Sequence, residues 1–142
     1  MTANVPRYFL DTAVLALAIG AEHPEREACR AIISSAADGA AELHISVETL
    51  QELLFHRMRR GSRADAIAAV RDARLACILH DFDEAVMDTA LGLVSESGIG
   101  GRDAVLAATA LNAGFTRIVS PDRDFDAVPA LQRTSPRAVG LT

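Results

Sequence analysis

Apolar residues recur along this chain in two alternating rhythms. Short apolar runs bounded by polar residues, the signature of a strand, fall at residues 7–10, 43–45, 76–79 and 117–120. Between them lie stretches with helical spacing. Val14, Leu15, Leu17 and Ala18 give one, ending at Gly20, and Ala28, Ile32 and Ile33 give a second, opened by Pro24 and closed near Gly39. Ser46 stands as an N-cap before a helix running to Arg60 and stopped by Gly61, with Val47, Leu50, Leu54 and Met58 as its expected core stripe. Further helices are expected over residues 62–75, from an Asp81 or Asp83 cap through Val94, and over residues 102–113, ended by Gly114. Ala138-Val139 is expected to be a last strand. Strands alternating with helices imply parallel pairing through crossovers. The expected architecture is therefore α/β, a three-layer α/β/α sandwich around a central parallel sheet of four to five strands. No repeat, low-complexity tract or linker interrupts the pattern, so residues 1–142 are expected to form a single domain with one substantial core.

Composition narrows the class. Half of the residues are hydrophobic, too many for a disordered chain. The longest apolar stretches, such as residues 13–19, fall short of a membrane span, and residues 1–7 lack the basic, apolar and small-residue pattern of a leader. A cytoplasmic location without membrane contact is the expectation. Cys29 and Cys77 lack CxxC spacing and are expected to be buried reduced thiols. His23, His44, His56 and His80 show no metal-ligand spacing and are expected to be ordinary surface or half-buried residues. The net charge of −5 argues against a general nucleic-acid coat. All 14 basic residues are arginine. An acidic protein can still act on RNA when divalent cations bridge its carboxylates to phosphate and arginines hold the flanking backbone.

The acids carry the chemistry. In open parallel sheets, ligands bind beyond the carboxyl ends of the strands, and Asp11 and Asp122 occupy that place after two strands. Each also has an ordinary reading as a helix cap or turn residue. Glu48 and Glu52 stand within ~40° of each other on one helix. Glu48, in the first turn, is explained by the helix dipole; Glu52, mid-helix, is not, and is the better metal-facing candidate. Asp103 opens a helix that is apolar nearly all round and so belongs in the interior. A carboxylate there must be capped, paired or metal-bound. Asp122, Asp124 and Asp126 crowd three acids into five residues. Like carboxylates a few ångströms apart cost ~1 kcal/mol per pair in water and ~4 at intermediate dielectric, a sign that a divalent cation reverses. Asp124 and Asp126 can equally be a solvated turn.

Four segments together resemble PIN domains, in particular the VapC-type toxins of bacterial toxin–antitoxin pairs. They are Phe9-Leu10-Asp11-Thr12, residues 46–54 with Glu52, Arg102-Asp103-Ala104-Val105 with residues 107–111, and residues 118–125 with Ser120, Asp122 and Asp124. They span almost the whole chain in the family's order, and the ordered set, rather than any one of them, is specific. The resemblance implies a ribonuclease with Asp11, Glu52, Asp103 and Asp122 as its acidic quartet. Asp11, Asp103 and Asp122 would bind one or two Mg²⁺ or Mn²⁺ ions, and Ser120 and Asp124 would assist. It further implies products with a 5′ phosphate and a 3′ hydroxyl, a homodimer, and a cognate antitoxin that places an arginine among the acids. Arg57, Arg59, Arg60 and Arg63 are candidates for holding RNA phosphates, against the plain alternative of a helix end that favours cations. Ala13 and Leu106 depart from the family, which often carries asparagine and histidine there; an altered rate or substrate choice is the expected consequence.

Other acidic-pocket folds fit less well. A response-regulator receiver needs a lysine, and a haloacid-dehalogenase-type phosphatase needs an aspartate where Ala13 stands. A Rossmann binder needs GxGxxG after a strand, which the glycines at 98, 100 and 101 do not provide. The remaining alternative is a catalytically weak PIN-fold interaction module whose acidic pocket receives a basic partner segment.

Overall fold

The computed structural model describes residues 4–140; the leader expectation for residues 1–7 falls in part on residues 1–3, outside the described residues. The elements follow the alternation read from the apolar pattern. Strand β1 (Arg7–Phe9) leads to α1 (Thr12–Ile19) and α2 (Arg26–Ala37), then β2 (Glu42–Ser46), α3 (Val47–Met58), α4 (Arg63–Ala76) and β3 (Cys77–His80). Helices α5 (Glu84–Glu96) and α6 (Gly101–Asn112), β4 (Arg117–Val119), a 3-10 helix (Arg123–Ala127), β5 (Gln132–Thr134) and a final 3-10 turn (Pro136–Ala138) complete the order.

The strands pair in parallel as β3-β2-β1 and as β4-β5, and a parallel bridge between Leu10 and Val119 joins the two groups into the order 3-2-1-4-5. Two apolar clusters flank this sheet. Phe9, Ile118 and Phe125 pack with α5 and α6 on one side, while Leu10, Ile45 and Val119 pack with residues of α1 to α4 on the other. Neighbouring residues in a strand point to opposite faces, so Phe9-Leu10 and Ile118-Val119 each feed both clusters. Strands covered on both sides need apolar residues at successive positions, which is why these runs lack polar alternation. The expected three-layer sandwich of four to five parallel strands is the one found.

Local signals set the boundaries. Ser46 Oγ accepts from the Glu48 amide, and Asp83 Oδ1, rather than Asp81, accepts from the Val86 amide to start α5. Gly39 and Gly114 adopt φ of 71° and 89° just past α2 and α6, the left-handed conformation that ends helices. Both cysteines are free and buried, and burial pushes each thiol up to about 11.

Three expectations are corrected. Ala138-Val139 is not a strand: Pro136 starts a 3-10 turn there, and the last strand is Gln132–Thr134, a polar tripeptide ordered by pairing with β4. The inward face of α3 is Thr49 and Leu53, with Leu50 of the expected stripe packed against the same cluster, whereas Val47 and Met58 are each about two-fifths exposed. The helix carries apolar residues on two faces, and only one meets the core. His44 is fully buried rather than half-exposed: its Nε2 lies 2.6 Å from Glu42 Oε1 and its Nδ1 lies 2.8 Å from His80 Nε2, so both ring nitrogens are satisfied.

Candidate active site

Asp11 ends β1 and precedes α1, but its carboxylate does not cap that helix. Instead Ser120 Oγ, from the end of β4, donates to Asp11 Oδ2 at 2.7 Å. Adjacent parallel strands β1 and β4 end at the same edge, which is how residues 109 positions apart meet. Ser120 is fully buried and its Oγ also accepts from the Asp122 amide, fixing the turn that carries the next acid. Burial pushes the Asp11 carboxyl up to about 6 despite the Ser120 hydrogen bond; Glu52 and Asp122 add repulsion.

Asp103 lies in the first turn of α6, capped by Gly100 without a side-chain bond, so the capping alternative for Asp103 fails. Its carboxyl is also pushed up to about 6, first by burial and then by Asp122, Asp11 and Asp124, with Arg102 pulling the other way. Asp122 does serve as a cap: its Oδ1 accepts from the Asp124 amide and starts the 3-10 helix. That ordinary role coexists with a second one. Asp103, Asp122 and Asp124 each offer a carboxylate oxygen within 4.8 Å of the other two. Asp124, secondary in the sequence reading, thus lies closer to Asp103 and Asp122 than that reading implied. Asp126 turns away into an ion pair with Arg133.

Glu52 completes the set from α3. It is half-buried and raised above the ordinary glutamate value by burial, with Arg102 opposing. Thr12 Oγ1 reaches Thr49 Oγ1 at 3.0 Å and Glu52 Oε1 at 3.5 Å, tying α1 to α3 beneath the site. Asp11, Glu52, Asp103 and Asp122 all line one cavity of about 640 Å³. The rest of its wall includes Thr12, Phe55, His56, Arg59, Arg60 and Arg102. Of the four arginine candidates, Arg59 and Arg60 are on this wall and Arg57 and Arg63 are not. Sequence reasoning missed Thr12, Phe55, His56 and Arg102. A signal was present for two of them, since residues 52, 55, 56 and 59 recur at helical spacing and so share a face.

An oxygen-only donor set of crowded carboxylates suits a hard divalent cation such as Mg²⁺ or Mn²⁺. Within the cavity, the Arg102 charge opposes the rise at both Glu52 and Asp103.

A parallel three-layer sandwich that gathers acids from β1, α3, α6 and the turn after β4 at one sheet edge is an acidic-pocket α/β domain. The PIN domain family model matches residues 8–131, and the chain belongs to the PIN domain family. It is 36% identical to Ribonuclease VapC7 of Mycobacterium tuberculosis over 135 residues, 93% of each chain. It is 28% identical to Ribonuclease VapC13 of the same organism over 134 residues, 92% of this chain and 95% of that one. Among solved structures, VapBC2 from Rickettsia felis bound to a promoter DNA fragment superposes with a TM-score of 0.73 at 18% identity, over 91% of this chain and 98% of that one. The sarcin-ricin-loop-cleaving toxin VapC20 of M. tuberculosis superposes with a TM-score of 0.69 at 20% identity, over 86% and 95%. At these identities the solved structures speak for the fold alone. No helix among the described residues is long and apolar enough to cross a membrane.

Proposed function

We propose that this chain is a single-domain Mg²⁺- or Mn²⁺-dependent endoribonuclease, the toxin of a cytoplasmic toxin–antitoxin pair. The observation that carries the reading is the convergence of Asp11, Glu52, Asp103 and Asp122 on one cavity, with two carboxyls held near 6. The similarity to proteins named as VapC ribonucleases supports it. Asp103, Asp122 and Asp124 would hold the ion, with Asp11 beside them. When bound, the ion supplies an activated water and offsets charge on the scissile phosphate and the leaving 3′ oxygen. Ser120 fixes one oxygen of Asp11, orienting the carboxylate that would stand beside the ion. Thr12 holds Glu52 in the cavity wall. Arg59 and Arg60 bind flanking phosphates. A homodimer and a cognate antitoxin with an arginine for the acidic pocket complete the proposal.

The test is hydrolysis of structured RNA by the purified chain. Cleavage is expected with Mg²⁺ or Mn²⁺, none with chelator, and a loss of about a hundredfold or more in Asp11→Asn and Asp103→Asn. Full activity in both variants would assign the cleavage to a contaminant. Metal binding without any cleavage would favour the interaction module that receives a basic partner segment.

A further inference from the structure

Phe55 is placed unlike any core aromatic. It is 61% exposed, while Phe9 and Phe125 are buried, and it belongs to neither apolar cluster. It sits one helical turn after Glu52 on α3, and both line the acidic cavity. Four residues further on, the Arg59 guanidinium lies over the ring at 5.5 Å from its centroid, covering one face. Glu52, Phe55 and Arg102 also line the adjoining apolar cleft, so the ring stands on the lip between the acids and that cleft.

We propose that Phe55, backed by Arg59, is a stacking platform for an unpaired nucleobase of the RNA next to the scissile phosphate. The inference rests on the ribonuclease reading and adds to it a residue that positions the substrate, the exposed Phe55 ring at the lip of the acidic cavity. A base offers a π-face whatever its identity, and aromatic side chains beside a cationic groove are the common means of holding unpaired strands. The charge pattern fits. Guanidinium groups on both walls, Arg59 and Arg60 after α3 and Arg102 on α6, flank the ring where a backbone would pass to the acids. A duplex cannot present a base to this ring without unpairing it.

The chain contains no tryptophan, so Phe55→Trp gives a single fluorescent reporter on the platform. Metal-dependent cleavage by the unmodified chain is measured first and tests the ribonuclease reading independently of Phe55. Phe55→Ala is then expected to raise KM for a single-stranded oligoribonucleotide about tenfold with a smaller effect on kcat. Phe55→Trp is expected to restore KM. When Phe55→Trp is combined with Asp103→Asn, the indole emission is expected to be quenched by the single-stranded oligoribonucleotide and much less by the same sequence locked in a duplex. An unaltered melting temperature in Phe55→Ala excludes misfolding. An unchanged KM in Phe55→Ala, or indole emission indifferent to the oligoribonucleotide, overturns the proposal and assigns the exposed ring to a protein partner.

Discussion

At the scale of single residues, the site is defined by the free energy its acids give up. Asp11 holds its proton in the folded chain up to about 6, whereas an unfolded chain loses it near the ordinary 3.8. The folded state therefore binds more protons between those values, and stability falls as pH rises through that window and stays lower above it. Asp11→Asn keeps an acceptor for Ser120 and removes the charge. In metal-free protein it is expected to raise stability at pH 7.5 by about 1–3 kcal/mol, and to give no gain below pH 4. Thermal melts with chelator at the two pH values measure this. A variant no more stable than the parent at pH 7.5 would mean that Asp11 carries no desolvation cost. The same residues show what was legible locally. Asp11 was found because it stands beyond the carboxyl end of a parallel strand, where ligands bind, and Asp103 because a carboxylate at the head of an apolar helix is out of place. Asp124 was underrated because an acid in a polar turn looks ordinary until Asp103 is brought within 4.8 Å of it.

At the scale of elements, α3 is the instructive case. Its apolar residues do not form one stripe; Thr49, Leu50 and Leu53 face the core, while Leu54, Phe55 and Met58 face the cleft beside the acids. A hydrophobic pattern counts apolar positions but does not say which of two faces meets the sheet. Leu53→Ala is expected to cost about 2–5 kcal/mol, because it leaves a cavity in a site with 1% exposure. Met58→Ala is expected to cost under about 1 kcal/mol. Denaturant unfolding of both variants measures the contrast, and equal losses would restore the single-stripe reading. Strand β5 carries the converse lesson. Gln132, Arg133 and Thr134 have no strand-forming apolar pattern, yet the Ser120 amide donates to the Thr134 carbonyl at 3.0 Å and the register with β4 holds. An edge strand can owe its state to a neighbour rather than to its own residues.

At the scale of the whole molecule, the proposed metal binding would be linked to folding through the same cavity. Mn²⁺ that binds only the folded acids is expected to raise the melting temperature, by the equivalent of ~2.7 kcal/mol at a hundred times its dissociation constant. Because Asp11 and Asp103 release protons near 6, metal affinity is expected to rise between about pH 5 and 7. Calorimetric titration across that range measures both, with Asp103→Asn as the control that loses the shift. A melting temperature indifferent to millimolar Mn²⁺ would count against the site.

The sequence by itself determined the class of the fold and, through its resemblance to PIN domains, singled out the quartet as candidates. Alternating periodicities demand parallel strands with helices between them, and a carboxylate placed against an apolar element signals a task, because burial of bare charge is costly. Only the tertiary structure decided which of these acids are neighbours, which face of α3 is wet, and where the last strand lies. These depend on strands β1 and β4 ending side by side, a pairing between residues more than a hundred positions apart. Local propensity does not encode such contacts; the packing of two apolar layers onto one sheet does.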